Sequence, residues 1–214
     1  MMPANKILMI RPANFGFNDQ TSGSNLFQNE PTISRQEINQ LAQEEFDCMA
    51  SLLIDKGIGV TIIEDTTTPI KPDAIFPNNW ITTHKDGSIY LFPMAAENRQ
   101  FERRDDIISI FREKHKISKV VDLSYTESDK RFFEGTGSIV FDHANKTAFA
   151  CLSPRTERDL FSYYCHEIGY KSICFTATDS LANDIYHTNV MMCIGQHFAV
   201  VCLESVENSF ESDQ

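Results

Sequence analysis

Three short stretches carry side chains suited to proton transfer and polar recognition. They are Phe76-Pro-Asn-Asn-Trp80, Phe133-Glu-Gly-Thr-Gly-Ser138 and Asp184-Ile-Tyr-His-Thr-Asn-Val190, and each stands just ahead of an apolar, strand-like run. His187 is the natural proton shuttle, because imidazole titrates near neutral pH. A neighbouring carboxylate such as Glu134 would keep the imidazolium charged or hold the ring's orientation. The glycines of Glu134-Gly-Thr-Gly137 let backbone approach a ligand closely. Singly, each residue also has a bland reading. A lone histidine before a strand is commonly structural, and an Asn-Asn pair commonly makes a turn. Their equivalent placement in three successive units raises the functional reading above the bland one.

The elements that must position these residues follow a repeated plan. Lys6 to Ile10 reads as a buried strand stopped at Arg11-Pro12. Residues 13–31 form a long polar loop, whose Phe15, Phe17 and Phe27 either line a cleft or anchor the loop. Ser34 and Glu37 make a capping box for a helix with Ile38, Leu41, Phe46, Met49, Leu52 and Leu53 at helical spacing, ending at Lys56-Gly57. Val60 to Ile63 is a β-branched strand, and Thr66 to Asp73 a loop. The repeat then begins. Trp80 to Thr83 and Ser88 to Phe92 flank the turn Lys85-Asp-Gly87, a helix runs from about Arg99 to Lys114, and Lys119 to Leu123 is a further strand. Ser138 to Phe141, Thr147 to Leu152, a helix from Thr156 to Ile168 and Ser172 to Phe175 repeat the plan. Val190 to Ile194 and Phe198 to Leu203 open a third unit, and a polar tail follows from Glu204 to Gln214. Asn79, Gly137 and Asn189 mark a period of 52 to 58 residues. A ββαβ unit at such a period predicts a closed or propeller-like array in which neighbouring units bury one another's apolar faces. If the units turn about one axis, the three polar stretches meet at its centre. The third unit lacks a helix and a last strand, so the array is expected to be open and the chain a truncated form.

Composition narrows the function classes. The chain of 214 residues is long enough for one sizeable core. A net charge of −11 argues against nucleic acid and anionic membrane surfaces as partners. The six cysteines form no CxxC pair, so no zinc signature is present. Four of them (Cys151, Cys174, Cys193 and Cys202) fall in apolar runs, where a reduced thiol behaves as a small hydrophobe. No apolar run suits a signal peptide or a membrane span, and a reducing, cytoplasmic setting is the simplest expectation.

The stretches Arg11-Pro-Ala-Asn-Phe-Gly-Phe-Asn18, Phe76-Pro-Asn-Asn-Trp80, Phe133-Glu-Gly-Thr-Gly137, Ala150-Cys-Leu-Ser-Pro-Arg155 and His187-Thr-Asn-Val190 together resemble the pentein superfamily of guanidino-modifying enzymes. Within it, the chain looks most like citrulline utilization hydrolase-type, amidinotransferase-like proteins. The resemblance runs from about Lys6 to Leu203. It implies a single catalytic domain over residues 1–214 with the α/β propeller fold of ββαβ repeats, about three of five units being present. It implies cysteine-hydrolase chemistry on a small-molecule amino acid, without cofactor or metal. By position, His187 is then similar to the catalytic histidine and Glu134 to its acidic support. Asp73, Asn78, Asn79 and Asn189 fall among substrate-binding positions. Arg99 and Arg155 fall near positions that grip the substrate's carboxylate, where a planar guanidinium fork is well suited. Both could instead be solvated charges at helix starts.

Two departures from the family pattern are informative. Asn79 and Asn189 are neutral where deiminases hold aspartates. A carboxamide complements a neutral ureido group without burying an unpaired charge, which points to a citrulline-like substrate. The family's nucleophilic cysteine sits in a Gly-rich motif that this sequence lacks. Cys193 and Cys202 read as core thiols within strands, so the nucleophile is expected beyond this chain and the chain alone is expected to be inactive. The alternatives are an amidinotransferase, a dimethylargininase-like enzyme or a non-catalytic amino-acid-binding remnant. An open edge after the third unit would favour self-association.

Overall fold

The computed structural model describes residues 4–207. The N-terminal three residues and the polar tail from 208 onward lie outside the described residues. β1 (Lys6–Arg11) leads through the loop and the short α1 (Asp19–Ser22) into α2 (Arg35–Asp55), and returns as β2 (Gly59–Glu64). β1 and β2 pair in parallel, from Lys6 opposite Gly59 to Arg11 opposite Glu64. The capping reading holds, since Ser34 accepts a hydrogen bond from the Glu37 amide at 3.2 Å.

The two complete units share one plan. β3 (Ile81–Thr83) pairs antiparallel with β4 (Ser88–Leu91), and β4 pairs in parallel with β5 (Lys119–Asp122) after α3 (Glu97–Gln100) and α4 (Asp105–Lys114). The one-turn α5 (Gly135–Ser138) then precedes the second unit. There β6 (Val140–Asp142) pairs antiparallel with β7 (Thr147–Cys151), and β7 pairs in parallel with β8 (Lys171–Phe175) after α6 (Arg158–Ile168). β9 (Met192–Ile194) and β10 (Ala199–Val201) form a last antiparallel hairpin. The turn between β3 and β4 needs Gly87. Its φ is +81°, and an added Cβ would stand 2.3 Å from the Lys116 carbonyl oxygen.

Each interval between successive sheets is filled by its own apolar cluster. Ile10, Trp80, Ile89, Met94 and Ile107 fill the first. Tyr90, Phe92, Phe133, Phe161 and Tyr164 fill the second, with edge-to-face contacts such as Phe92–Phe133 at 5.3 Å and Phe92–Tyr164 at 5.1 Å. Cys151, Phe175, Met191 and Met192 fill the third. The units therefore do bury one another's faces, at roughly 1.5–3 kcal/mol for each fully buried large side chain.

The loop between β2 and the first polar stretch is fastened from inside. Lys71 is 1% exposed, and its Nζ donates to the Thr66 carbonyl, the Thr66 hydroxyl and the Pro69 carbonyl while standing 3.2 Å from Asp65 Oδ1.

The structure corrects several readings. The helix expected from Arg99 to Lys114 is two helices, broken at Phe101–Arg104, where Arg104 takes an extended conformation and donates to the Glu64 carbonyl at 2.8 Å. The apolar stripe of α2 is only partly covered. Phe46 and Ala50 are buried and Ile38 and Leu53 half-buried where the helix meets β1, β2 and residues 12–17, while Leu41, Met49, Leu52 and Ile54 are about half exposed. Cys193 and Cys202 are exposed and not core thiols, because the β9–β10 hairpin has one uncovered side. Among the described residues, no helix is long and apolar enough to cross a membrane, and no cluster of three or more His, Cys, Asp or Glu could hold a metal ion.

Candidate active site

The three polar stretches adopt single helical turns rather than open loops. Pro77–Asn79 and Thr188–Val190 are 3-10 turns, and both lie against α5. Their side chains meet there. The decisive fit is at Gly137, where a Cβ would stand 2.2 Å from Asn79 Nδ2 and 2.7 Å from His187 Cε1 and Nδ1. Only a residue without a side chain leaves the imidazole and the carboxamide this close to the turn.

His187 Nε2 donates to Glu134 Oε2 at 2.8 Å, with both residues buried. The other carboxylate oxygen accepts from the Ala95 amide at 3.0 Å. Burial alone would raise the Glu134 carboxyl, but the hydrogen bond from His187 and the nearby Arg99 and Arg155 outweigh it and bring it down to about 2. Burial lowers the His187 imidazole, against the pull of Glu134, and the two arginines push the same way as burial. A carboxylate facing a neutral ring at neutral pH follows. Glu134 holds Nε2, so Nδ1, on the Gly137 side, is the nitrogen left to exchange a proton.

A cleft of about 220 Å³ opens over this pair. Asp73, Asn78, Asn79, Arg99, Arg155, His187 and Asn189 all line it. Glu134 stands behind His187. The structure thus brings together every residue that the sequence singled out. A larger cavity of about 660 Å³ runs along β1 past Ile7, Leu8, Ile81 and Phe111, but it lacks a carboxylate–imidazole pair and is not the chemical centre.

Both arginines are buried, at 3% and 4% exposure, so neither is a solvated helix-start charge. In each, Nε and Nη2 are engaged, while Nη1 stands 3.9 Å (Arg99) and 3.7 Å (Arg155) from Glu134 Oε2. Arg99 gives Nε and Nη2 to Glu102 at 2.8 and 3.1 Å, and Nη2 also to Asn79 Oδ1 at 3.1 Å. Burial disfavours its charge, but Glu102, Glu134 and Asp73 raise its pKa overall. Arg155 donates from Nε to the Ser24 hydroxyl at 3.1 Å and from Nη2 to the Thr21 carbonyl at 3.1 Å, and its guanidinium lies 4.8 Å above the Tyr186 ring. Asp73 accepts from Asn18 Nδ2 at 2.7 Å.

The sequence matches the family described as N,N dimethylarginine dimethylhydrolase, eukaryotic, over residues 11–214. The chain belongs to this family. It is a member of the guanidino-modifying pentein superfamily that its motifs resemble. Solved structures agree on the fold. The N-terminal domain of ArgZ, an arginine dihydrolase of the ornithine-ammonia cycle in Cyanobacteria, was solved bound to substrate. It superposes with a TM-score of 0.71 at 19% identity, over 97% of this chain and 70% of that one. AgrE in complex with L-arginine gives 0.72 at 19% identity, over 97% and 28%. A dimethylarginine dimethylaminohydrolase adduct gives 0.64 at 13%, over 97% and 73%. No curated protein matched the sequence. This chain therefore spans about 70% of the ArgZ domain and 28% of the AgrE chain.

Within this family member, several site residues escaped the sequence reading. Asn18, 1% exposed, bridges Asp73 and Asn98 and caps α1. It lies inside the Arg11–Asn18 motif, so a signal existed. Ser24 and Thr21 reach Arg155 from more than 130 positions away, which no local pattern reveals. Glu102 carries no local signal, three positions after Arg99.

Proposed function

We propose that this chain binds a ureido or guanidino amino acid and supplies the proton-transfer part of a site that hydrolyses a carbon–nitrogen bond. The observation that carries this is the buried Glu134–His187 pair at 2.8 Å on the wall of a polar cleft. His187 passes a proton through Nδ1 to the departing nitrogen, and Glu134 holds its ring in position. Arg155, with Asp73 nearby, is assigned to the carboxylate and ammonium ends of the substrate. The matching order of the units supports reading them as blades of a propeller within one domain.

The substrate is proposed to be the neutral ureido form, citrulline. The charged groups on the cleft wall are two arginines and one aspartate, and the rest of the polar lining includes four carboxamides, Asn25, Asn78, Asn79 and Asn189. Glu102, Glu134 and Asp73 already answer the two arginines, so Asp73 is the one carboxylate of the lining left to face a guanidinium, whereas a ureido group finds both donors and acceptors among the carboxamides. Arginine is the second reading. It is favoured by the Asp73 carboxylate and by AgrE, whose structure was solved with L-arginine. Calorimetric titration of the purified chain decides between them. Citrulline should bind at least about tenfold tighter, a difference of about 1.4 kcal/mol. Equal or tighter binding of arginine would overturn the preference.

The attacking thiolate is proposed to come from outside the described residues. Among them no cysteine lines the cleft, and Cys151 is buried with its Sγ 3.4 Å from the Ile185 carbonyl. The chain alone should then bind without turnover. Ornithine formed from citrulline by the purified 214-residue chain would refute this.

A further inference from the structure

Glu102 is 2% exposed and does not line the cleft. It stands just past α3, next to an arginine that has other carboxylates within reach. Arg99 lies 2.8 Å from Glu102, 3.7 Å from Asp73 and 3.9 Å from Glu134. The guanidinium fork and a carboxylate normally close on each other through two parallel hydrogen bonds. Glu102 takes that pairing through Nε and Nη2. Glu134 is consequently left at a distance from Arg99, and its Oε2 accepts from His187 instead. The same Nη2 reaches Asn79 Oδ1, which turns the amide nitrogen of Asn79 toward the Glu134 carbonyl at 3.4 Å and toward Gly137. One carboxylate therefore governs two features of the cleft: which partner Glu134 keeps, and which end of the Asn79 carboxamide faces which way.

We propose that Glu102 is a positioning residue, which holds the Arg99 fork away from Glu134 so that the Glu134–His187 pair and the Asn79 carboxamide keep their working orientation. Without it the freed fork turns to the carboxylates that remain. Asp73 keeps 14% of its side chain exposed, so water competes for it, whereas Glu134 is sealed and draws the cation more strongly. Arg99 then occupies the oxygen on which His187 depends.

The inference rests on His187 being the proton shuttle, and its test does not depend on turnover. The ring nitrogens of His187 are read by nitrogen-edited NMR in the full chain, where an Nε2 proton bound to Glu134 gives a slowly exchanging downfield signal. Folding is followed by the backbone amide spectrum. In Glu102→Gln the signal should disappear or exchange at least tenfold faster, and Glu102→Asp should retain it. The double variant Glu102→Gln with Arg99→Gln should recover the signal, because no fork is left to compete. A purely structural salt bridge predicts the opposite order, with the double variant no better than the single. A folded Glu102→Gln chain with an unchanged His187 signal overturns the proposal, as does a folded double variant without the signal. If Glu102→Gln does not fold, the double variant decides alone. A double variant that also fails to fold overturns the proposal, since the pair then holds the fold and not the fork. Absence of hydrolysis counts against the proposed function only.

Discussion

Glu134 and His187 settle their protonation jointly, and the consequence is measurable as stability. Glu134 stands at about 2 in the fold, below the ordinary value near 4.5, because the hydrogen bond from His187 and two arginines outweigh its burial. A depressed carboxyl contributes stability that is complete above the ordinary value and is lost as pH falls toward the folded one. A shift of this size corresponds to about 3 kcal/mol, lost between pH 4.5 and 2. In Glu134→Gln that acid limb should be missing. Urea melts at several pH values would show the wild-type stability falling more steeply than the variant's over this range, and parallel curves would contradict the assignment. At this scale the sequence was informative about which residues meet at the cleft and silent about what they touch. His187, Glu134 and Asn79 were legible because the same position in three units carries them. Glu102 was not, because a carboxylate three positions from an arginine on a helix is normally a solvated pair. Only burial by distant chain makes it otherwise.

Local chemistry decided most of the elements. Asp-Gly marked the β3–β4 turn, and Gly169, with φ +73°, ends α6 as a left-handed cap. Gly87 is the sharper case, since its conformation and the nearby Lys116 carbonyl both exclude a side chain. Gly87→Ala should cost about 1–3 kcal/mol and lower the midpoint of a thermal melt, while Lys85→Ala at the exposed neighbouring position should not. The break between α3 and α4 was not legible. Residues 101–104 hold neither glycine nor proline, and at the break Arg104 is extended and donates to the carbonyl of Glu64, a partner far away in sequence. Periodicity likewise identified α2 as amphipathic but could not say whether anything covers its apolar side.

The whole molecule is a row of sheets whose cores lie between neighbours, so its two ends behave differently from its middle. α2 shows Leu41, Met49, Leu52 and Ile54 to solvent at one end, and Phe198, Val200 and Leu203 are exposed at the other. Such apolar surface predicts self-association that strengthens with concentration and survives high salt. Light scattering across a concentration series would show a rising apparent mass, and a constant monomer mass would exclude it. The repeat made this architecture readable in advance, because polar turns that recur every 52 to 58 residues ahead of paired strands require equal units packed side by side. The filling of each interval was less readable, since Phe133 and Tyr164 meet only once the sheets have docked.

Lys71 gives this assembly a built-in timer. Its amine is sealed among the Thr66, Pro69 and Asp65 oxygens, so an acylating reagent reaches it only when the loop ahead of Asp73 lets go. Most other lysines should be modified within the first moments of exposure to reagent. The slow labelling of Lys71, followed by mass spectrometry, would then report how often that wall of the cleft opens. A ligand seated against Asp73 should lengthen the interval.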